Sequence, residues 1–160
     1  MNVLGIDPGS HITGWCLIKN EQVASHGVIR LSRKDSFQER RHSLRSQIVD
    51  LFGSLLDAGD LVVAIEDPMS RAIGVAKKLA LIKGTIEEKA IDFGHTCIDV
   101  LPSEWQALAR DYGGKIEGET VKETSLRVAK QEFGIEEQDA ADAAWIAMYA
   151  AKMVVRVTGR

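Results

Sequence analysis

Leu4-Gly5-Ile6-Asp7-Pro8-Gly9-Ser10 is the stretch on which the reading of this chain turns. A short apolar run ends in a carboxylate, and Asp-Pro-Gly then breaks the run with a turn. The pattern predicts a buried strand over residues 2–7 with an acid at its end. Beyond the turn, residues 12–19 read as a second strand. Asn20-Glu21 serves as a hairpin turn into a third strand at 22–31, so the domain opens as an antiparallel meander.

The rest of the chain alternates. Ser36-Phe37-Gln38-Glu39 has the Ser-x-x-Glu form of a capping box. Leu44, Ile48, Leu51, Phe52 and Leu55 then recur at helical spacing to about residue 58. Leu61-Val62-Val63-Ala64-Ile65 is continuous and rich in β-branched residues, the mark of a strand covered on both faces. A helix is predicted over 70–93, stopped by Gly94, and a fifth strand over 96–101, ended by Pro102. Ser103-Glu104-Trp105-Gln106 is read as a cap opening a short helix, which Gly113-Gly114 ends. Thr120 caps another helix, closed by Gly134, and a last helix runs from about 136 to 155. A meander followed by strand–helix–strand crossovers implies an α/β domain over residues 1–160, with a mixed five-stranded sheet and helices on both faces.

The composition supports a packed domain and narrows its setting. The chain has 160 residues, 45% of them hydrophobic, and a net charge of −3. That charge does not suggest a globally basic nucleic-acid binder, but its distribution along the chain matters more than the sum. Arg30, Arg33, Lys34, Arg40, Arg41 and Arg45 cluster early, whereas acids gather at 117–123 and 132–142. Cys16 and Cys97 are isolated among apolar neighbours and read as reduced, buried thiols. The opening is a strand pattern and not a basic-then-apolar leader, and no apolar stretch approaches the ~20 residues of a bilayer span. A cytoplasmic protein without a membrane partner is the expectation.

Three more acids stand at informative places. Glu66 closes the fourth strand, and Asp139-Ala140-Ala141-Asp142 opens the last helix. If the first and fourth strands are parallel neighbours, Asp7 and Glu66 emerge at the same sheet end, where open α/β sheets bind ligands. Asp139 and Asp142 share a helix face, in the turn where the helix dipole favours carboxylates. Each acid also has an ordinary reading: a turn former, a strand-end charge, a dipole partner. Together they offer four oxygen donors with no basic residue beside them in sequence. That set suits Mg²⁺ or Mn²⁺.

Leu4-Gly5-Ile6-Asp7-Pro8-Gly9-Ser10 with Thr13-Gly14, then Ile65-Glu66, then Asp139-Ala140-Ala141-Asp142-Ala143 resembles the RuvC-type Holliday junction resolvases of the RNase H-like superfamily. The resemblance covers nearly the whole chain in length, order and spacing. It implies an RNase H-like fold and a crossover junction endodeoxyribonuclease. In that family a homodimer resolves four-way and other branched DNA by paired symmetric nicks. It implies Asp7, Glu66, Asp139 and Asp142 as catalytic metal ligands for two Mg²⁺ ions, with Mn²⁺ as a substitute. Two ions about 3.5–4 Å apart support in-line hydrolysis, which in the family leaves 5′-phosphate ends.

The resemblance also marks DNA-binding positions and departures. Met69 stands where the best-known members carry an aromatic that stacks on junction bases. Lys122 matches one of the family's lysines near the scissile phosphate. A second such position falls near Trp105 or Gln106, which leaves Trp105 as either a core anchor or a platform for a base. Lys77, Lys78 and Lys83, on the 70–93 helix, are candidate phosphate contacts or a solvated face, and Arg40, Arg41 and Arg45 face the same choice. His11 either lies exposed in its turn or touches a phosphate. On the same helix, Val75, Leu79, Ile82, Ile86 and Phe93 form an apolar stripe. Ala76, Ala80 and Gly84 form a second stripe of small residues, suited to a two-fold helix pair or to burial within one subunit.

Three rival readings remain at this point. One is another RNase H-like nuclease with RNA or flap substrates. Another is a nucleotide-binding domain of the actin and sugar-kinase type, which opens with a similar strand and turn but needs two domains. The third is a non-catalytic DNA-binding module, which leaves the four acids without a purpose.

Overall fold

The computed structural model describes residues 2–68, 72–114 and 116–158. Five strands and five helices follow in the order β1 (Asn2–Asp7), β2 (Ile12–Lys19), β3 (Gln22–Arg30), α1 (Phe37–Ser54), β4 (Leu61–Glu66), α2 (Ile73–Asp92), β5 (Thr96–Val100), α3 (Pro102–Gly113), α4 (Val121–Phe133) and α5 (Gln138–Thr158). A short 3-10 turn at Leu56–Ala58 follows α1. The sheet order is β3-β2-β1-β4-β5. The meander is antiparallel, with Asp7 opposite Gly14. β4 is parallel to both β1 and β5, pairing Ile6 with Ile65 and Glu66 with Val100. Asp7 and Glu66 therefore leave adjacent parallel strands at the same end of the sheet.

Period-two alternation along the strands decides which face each side chain joins. Leu4, Ile6, Leu17, Val63 and Ile65 point to one face, where they pack with Leu44, Ile48 and Phe52 of α1 and Ile82 and Ile86 of α2. Val3, Cys16, Ile18 and Ala64 point to the other, beneath α3, α4 and α5. By the same alternation Gly5, Asp7, Gly14 and Glu66 belong to the α5 face.

Two glycines set how close α5 lies. A Cβ on Gly5 would sit 2.1 Å from the Ala143 carbonyl oxygen, and one on Gly14 would sit 1.9 Å from that of Asp139. The facing residues of α5, Ala140, Ala143, Ala144 and Ala147, are small and fully buried. Helix backbone rests almost directly on strand backbone, so the first turn of α5 lies beside the end of β1.

Some element boundaries differ from the sequence reading. The capping boxes at Ser36 and Thr120 are present. The third helix starts earlier than read: Leu101 is its N-cap, Pro102 takes the first position, and Glu104 accepts the Leu101 amide at 2.8 Å. Proline is preorganised for that position and has no N–H to leave unpaired. The expected apolar stripe of α2 divides: Ile82 and Ile86 are fully buried, but Val75 is exposed. Cys16 and Cys97 are free thiols; Cys16 is buried as expected, but Cys97, near the edge of the sheet, is only partly so, and burial pushes Cys16 up to about 12.

Candidate metal and nucleic-acid site

The turn after β1 is held from several sides. Gly9 donates its amide to Thr13 Oγ1, and that hydroxyl donates to the Gly9 carbonyl, both at 3.3 Å. Thr13 is fully buried. Arg40, read as either a phosphate contact or part of a solvated face, is instead buried. Its Nε donates to the Ser10 carbonyl at 3.0 Å, and its guanidinium also reaches the Asp35 carbonyl. A guanidinium bonded to two carbonyls fastens α1 to the Asp7 turn. His11 is half-buried, with Nδ1 3.0 Å from Ser10 Oγ.

Asp7, Glu66, Asp139 and Asp142 come together at this end of the sheet. Burial, then the nearby Glu66, Asp142 and Asp139 charges, raise Asp7 well above the usual carboxylate range, opposed by Lys122. Burial also raises Glu66, against the opposing hydrogen bond from Trp105. Asp142 is only 2% exposed. Burial lifts its carboxyl too, while Ser125, Lys122 and Gln138 pull it down. These mutual influences mark the four acids as one electrostatic group.

Two carboxylates in the group, Glu66 and Asp142, have side-chain support. Trp105 Nε1 donates to Glu66 Oε2 at 2.6 Å. Ser125 Oγ and Gln138 Nε2 donate to Asp142 Oδ1 at 2.7 and 2.8 Å. Ser125 is fully buried, and its carbonyl accepts the Trp145 indole at 2.9 Å. Asp139 is placed through its backbone, against Gly14. Sequence reasoning missed Ser125 and Gln138. Gln138 lies four residues before Asp142 on the same helix, a spacing that could have flagged it. Ser125 lies on a different helix, and nothing in the linear order points to it.

Among the described residues, no group of three or more His, Cys, Asp or Glu side chains stands close enough together to hold a metal ion. Two of the four acids are held by other partners. Glu66 is bonded to Trp105, and Asp142 to Ser125 and Gln138. The donor set nonetheless fits a divalent cation: oxygen donors alone, mutually repelling and partly desolvated, which a hard cation would relieve.

The expected DNA-binding residues separate. Lys122 Nζ lies 4.0 Å from Asp142 Oδ2 with its side chain 72% exposed, at the mouth of the acidic group. Lys77 and Lys78 are exposed, with Lys78 over the Phe37 ring at 5.7 Å. Lys83 is different. It is held by Asp99 at 2.8 Å, Asp67 at 3.0 Å and Glu87 at 3.6 Å, with only 13% of its side chain exposed. Burial alone would lower Lys83, but the Asp99 and Asp67 hydrogen bonds outweigh it and push the group up to about 12. A lysine so committed ties α2 to β5 and leaves phosphate to its neighbours. Arg41 bonds Thr85 at 2.9 Å and Arg45 faces Glu88 at 3.6 Å, so both link α1 to α2. Met69 lies outside the described residues.

Among the described residues, no helix is long and apolar enough to cross a membrane. No model of a known protein family matches the chain. In sequence it is similar to crossover junction endodeoxyribonuclease RuvC of Magnetococcus marinus, 32% identical over 92 residues, covering 52% of this chain and 51% of that protein. RuvC of Chlorobium phaeovibrioides is 29% identical over 120 residues, covering 71% and 62%. The chain spans about half the length of the first curated relatives it matches. In structure it is similar to Thermus thermophilus RuvC in complex with a Holliday junction substrate. The TM-score is 0.77 at 21% identity, over 99% of this chain and 97% of that one. The yeast mitochondrial Holliday junction resolvase Ydc2 gives a TM-score of 0.64 at 15% identity, over 98% and 80%. The fold is the RNase H-like fold of these resolvases.

Proposed function

We propose that this chain is a RuvC-type, metal-dependent endodeoxyribonuclease that resolves four-way DNA junctions by symmetric nicks. The observation that carries the reading is the meeting of Asp7, Glu66, Asp139 and Asp142 at one sheet end, on a fold shared with junction resolvases. Their mutual repulsion favours a divalent counter-ion. The sequence relatives favour junction DNA over RNA or flap substrates.

In this reading the four carboxylates would hold Mg²⁺, or Mn²⁺ in its place, as a pair of ions. Such ions, when bound, activate water and stabilise the leaving oxygen. The chain's own residues supply the rest. Trp105, Ser125 and Gln138 orient the acids. Lys122, exposed beside Asp142, meets the scissile phosphate. Lys77 and Lys78 hold the flanking backbone, since DNA affinity rests largely on such contacts. A water oxygen bonds to phosphorus as the P–O3′ bond breaks, leaving a 5′-phosphate and, with the water's proton, a 3′-hydroxyl.

Symmetric nicking calls for two sites related by a two-fold axis. The outer face of α2 suits that role. Ile73 and Leu81 are exposed, and a Cβ on Gly84 would meet nothing within 4 Å. A second copy pairing along this face would cover it, with the small Ala80 and Gly84 allowing close approach.

The test is cleavage of a synthetic four-way junction with Mg²⁺, beside a flap, an RNA–DNA hybrid and a linear duplex. Junction nicking that Asp7→Asn or Glu66→Gln lowers by about 10²–10³ is the expected result. Preferential cutting of the hybrid or flap would move the chain to another RNase H-like nuclease class. Normal nicking by both variants would remove the metal-site reading.

A further inference from the structure

Trp105 could have been a platform for DNA bases, but it is only 2% exposed, and no base can stack on a ring so enclosed. It shares a core with Val100, Ala109 and Ala141. Its one polar atom is aimed at a carboxylate of the acidic group, 2.6 Å from Glu66 Oε2. An indole N–H only donates and never ionises. Its partner must therefore be an acceptor, which a carboxylate is.

The segment bearing Trp105 is itself fastened. Pro102 opens α3, and the neighbouring Glu104 is bound at both oxygens. Oε2 accepts the Leu101 amide at 2.8 Å, and Oε1 accepts the Tyr149 hydroxyl at 2.9 Å. Tyr149 lies on α5, the helix that carries Asp139 and Asp142. The indole is thus referenced to the same helix as the other acids. Glu66 comes from the sheet, and the Trp105 hydrogen bond joins it to this framework.

From this geometry we infer that Trp105 is a positioning residue: its indole clamps Oε2 of Glu66 and presents Oε1 to the divalent cation. The inference rests on reading the four carboxylates as a cation site. Donors behind a metal ligand fix its orientation, and losing one weakens binding about 10–100-fold. Trp105→Phe keeps the aromatic bulk and removes the N–H.

The experiment is Mn²⁺ titration of the wild-type protein, Trp105→Phe, Glu66→Gln and the double variant, by calorimetry, with circular dichroism to check folding. Trp105→Phe should bind Mn²⁺ about 10–100-fold more weakly than wild type. In the Glu66→Gln background the same change should have almost no further effect, because the amide that the indole then holds presents no carboxylate oxygen to the cation. Equal or tighter binding by Trp105→Phe overturns the inference, as does an equal loss in the Glu66→Gln background. A wild-type protein that binds no Mn²⁺ fails the cation-site reading and takes this one with it. A wild-type measurement covers the case of a variant that does not fold. The chain has three tryptophans. The indole N–H resonance assigned to Trp105 should shift on Mg²⁺ addition and stay fixed in Glu66→Gln. A Trp105 signal that does not move in a wild-type protein shown to bind Mg²⁺ rejects the clamp.

Discussion

Gly14→Ala tests whether the approach of α5 to the sheet sets the acidic group. The new Cβ would lie 1.9 Å from the Asp139 carbonyl oxygen, 2.3 Å from its carbon and 2.9 Å from the Ala140 nitrogen. All three are backbone atoms, so no side-chain rotation relieves the clash. Ordinary contact requires roughly 1–1.5 Å of separation to open between β2 and the first turn of α5. Overpacking of this kind destabilises by about 1–3 kcal/mol. For a domain of this size each 1 kcal/mol lowers Tm by about 2–4 °C. The protein should therefore still fold at 20 °C. Activity should suffer more than stability, because a misplacement of about 1 Å at a reacting centre can cost 10²-fold. The assay pairs single-turnover nicking of a four-way junction with Mn²⁺ titration and thermal melting. Gly27→Ala serves as the control. Its Cβ would press on the Trp15 ring at 3.0–3.1 Å, on strand β3 away from α5. The expected result is a large loss of nicking and Mn²⁺ affinity in Gly14→Ala, and near-normal values in Gly27→Ala. A folded Gly14→Ala with wild-type Mn²⁺ affinity and rate would refute the reasoning, since α5 would then have yielded without moving Asp139.

Three further outcomes are expected. Asp7 is raised by burial and by the neighbouring acids, so its stabilising contribution exists at low pH and is lost as pH rises through its elevated range. In EDTA the wild-type Tm should fall across that range, Asp7→Asn should hold its Tm higher by about 2–4 °C at neutral pH, and Mg²⁺ should raise the wild-type Tm alone; parallel Tm–pH curves would reject this. Lys77→Ala with Lys78→Ala should weaken junction binding and flatten its log–log salt dependence by about one unit per lost phosphate contact, whereas an unchanged slope returns both lysines to solvent. Ala80→Glu should place an unpaired charge on the exposed α2 face and shift sedimentation from dimer to monomer at micromolar concentration; a monomeric wild type, or a variant dimer, would dismiss that interface.

Much of this molecule was legible in its linear order. Continuous apolar runs, period-two alternation and the Ser36 and Thr120 capping boxes specified the elements, because those signals are local and act through a few neighbouring residues. Asp7 and Glu66 could be expected at one sheet end because strand direction follows from crossover rules. The acids of α5 could be paired because i and i+3 share a helix face. What remained undetermined was long-range. Lys83 and Arg40 looked like surface cations, and only packing showed Lys83 enclosed by Asp67, Asp99 and Glu87, and Arg40 capping backbone carbonyls. Ser125 carried no motif at all, and Trp105 was open between a core anchor and a platform for a base. Their hydrogen bonds to Asp142 and Glu66 join residues 17 and 39 positions apart. Such contacts depend on distances of a few tenths of an ångström between elements, set by Gly14 against Asp139 and by small residues along α5. Periodicity tells which face a residue joins. Only the three-dimensional approach of those faces tells which atom it meets.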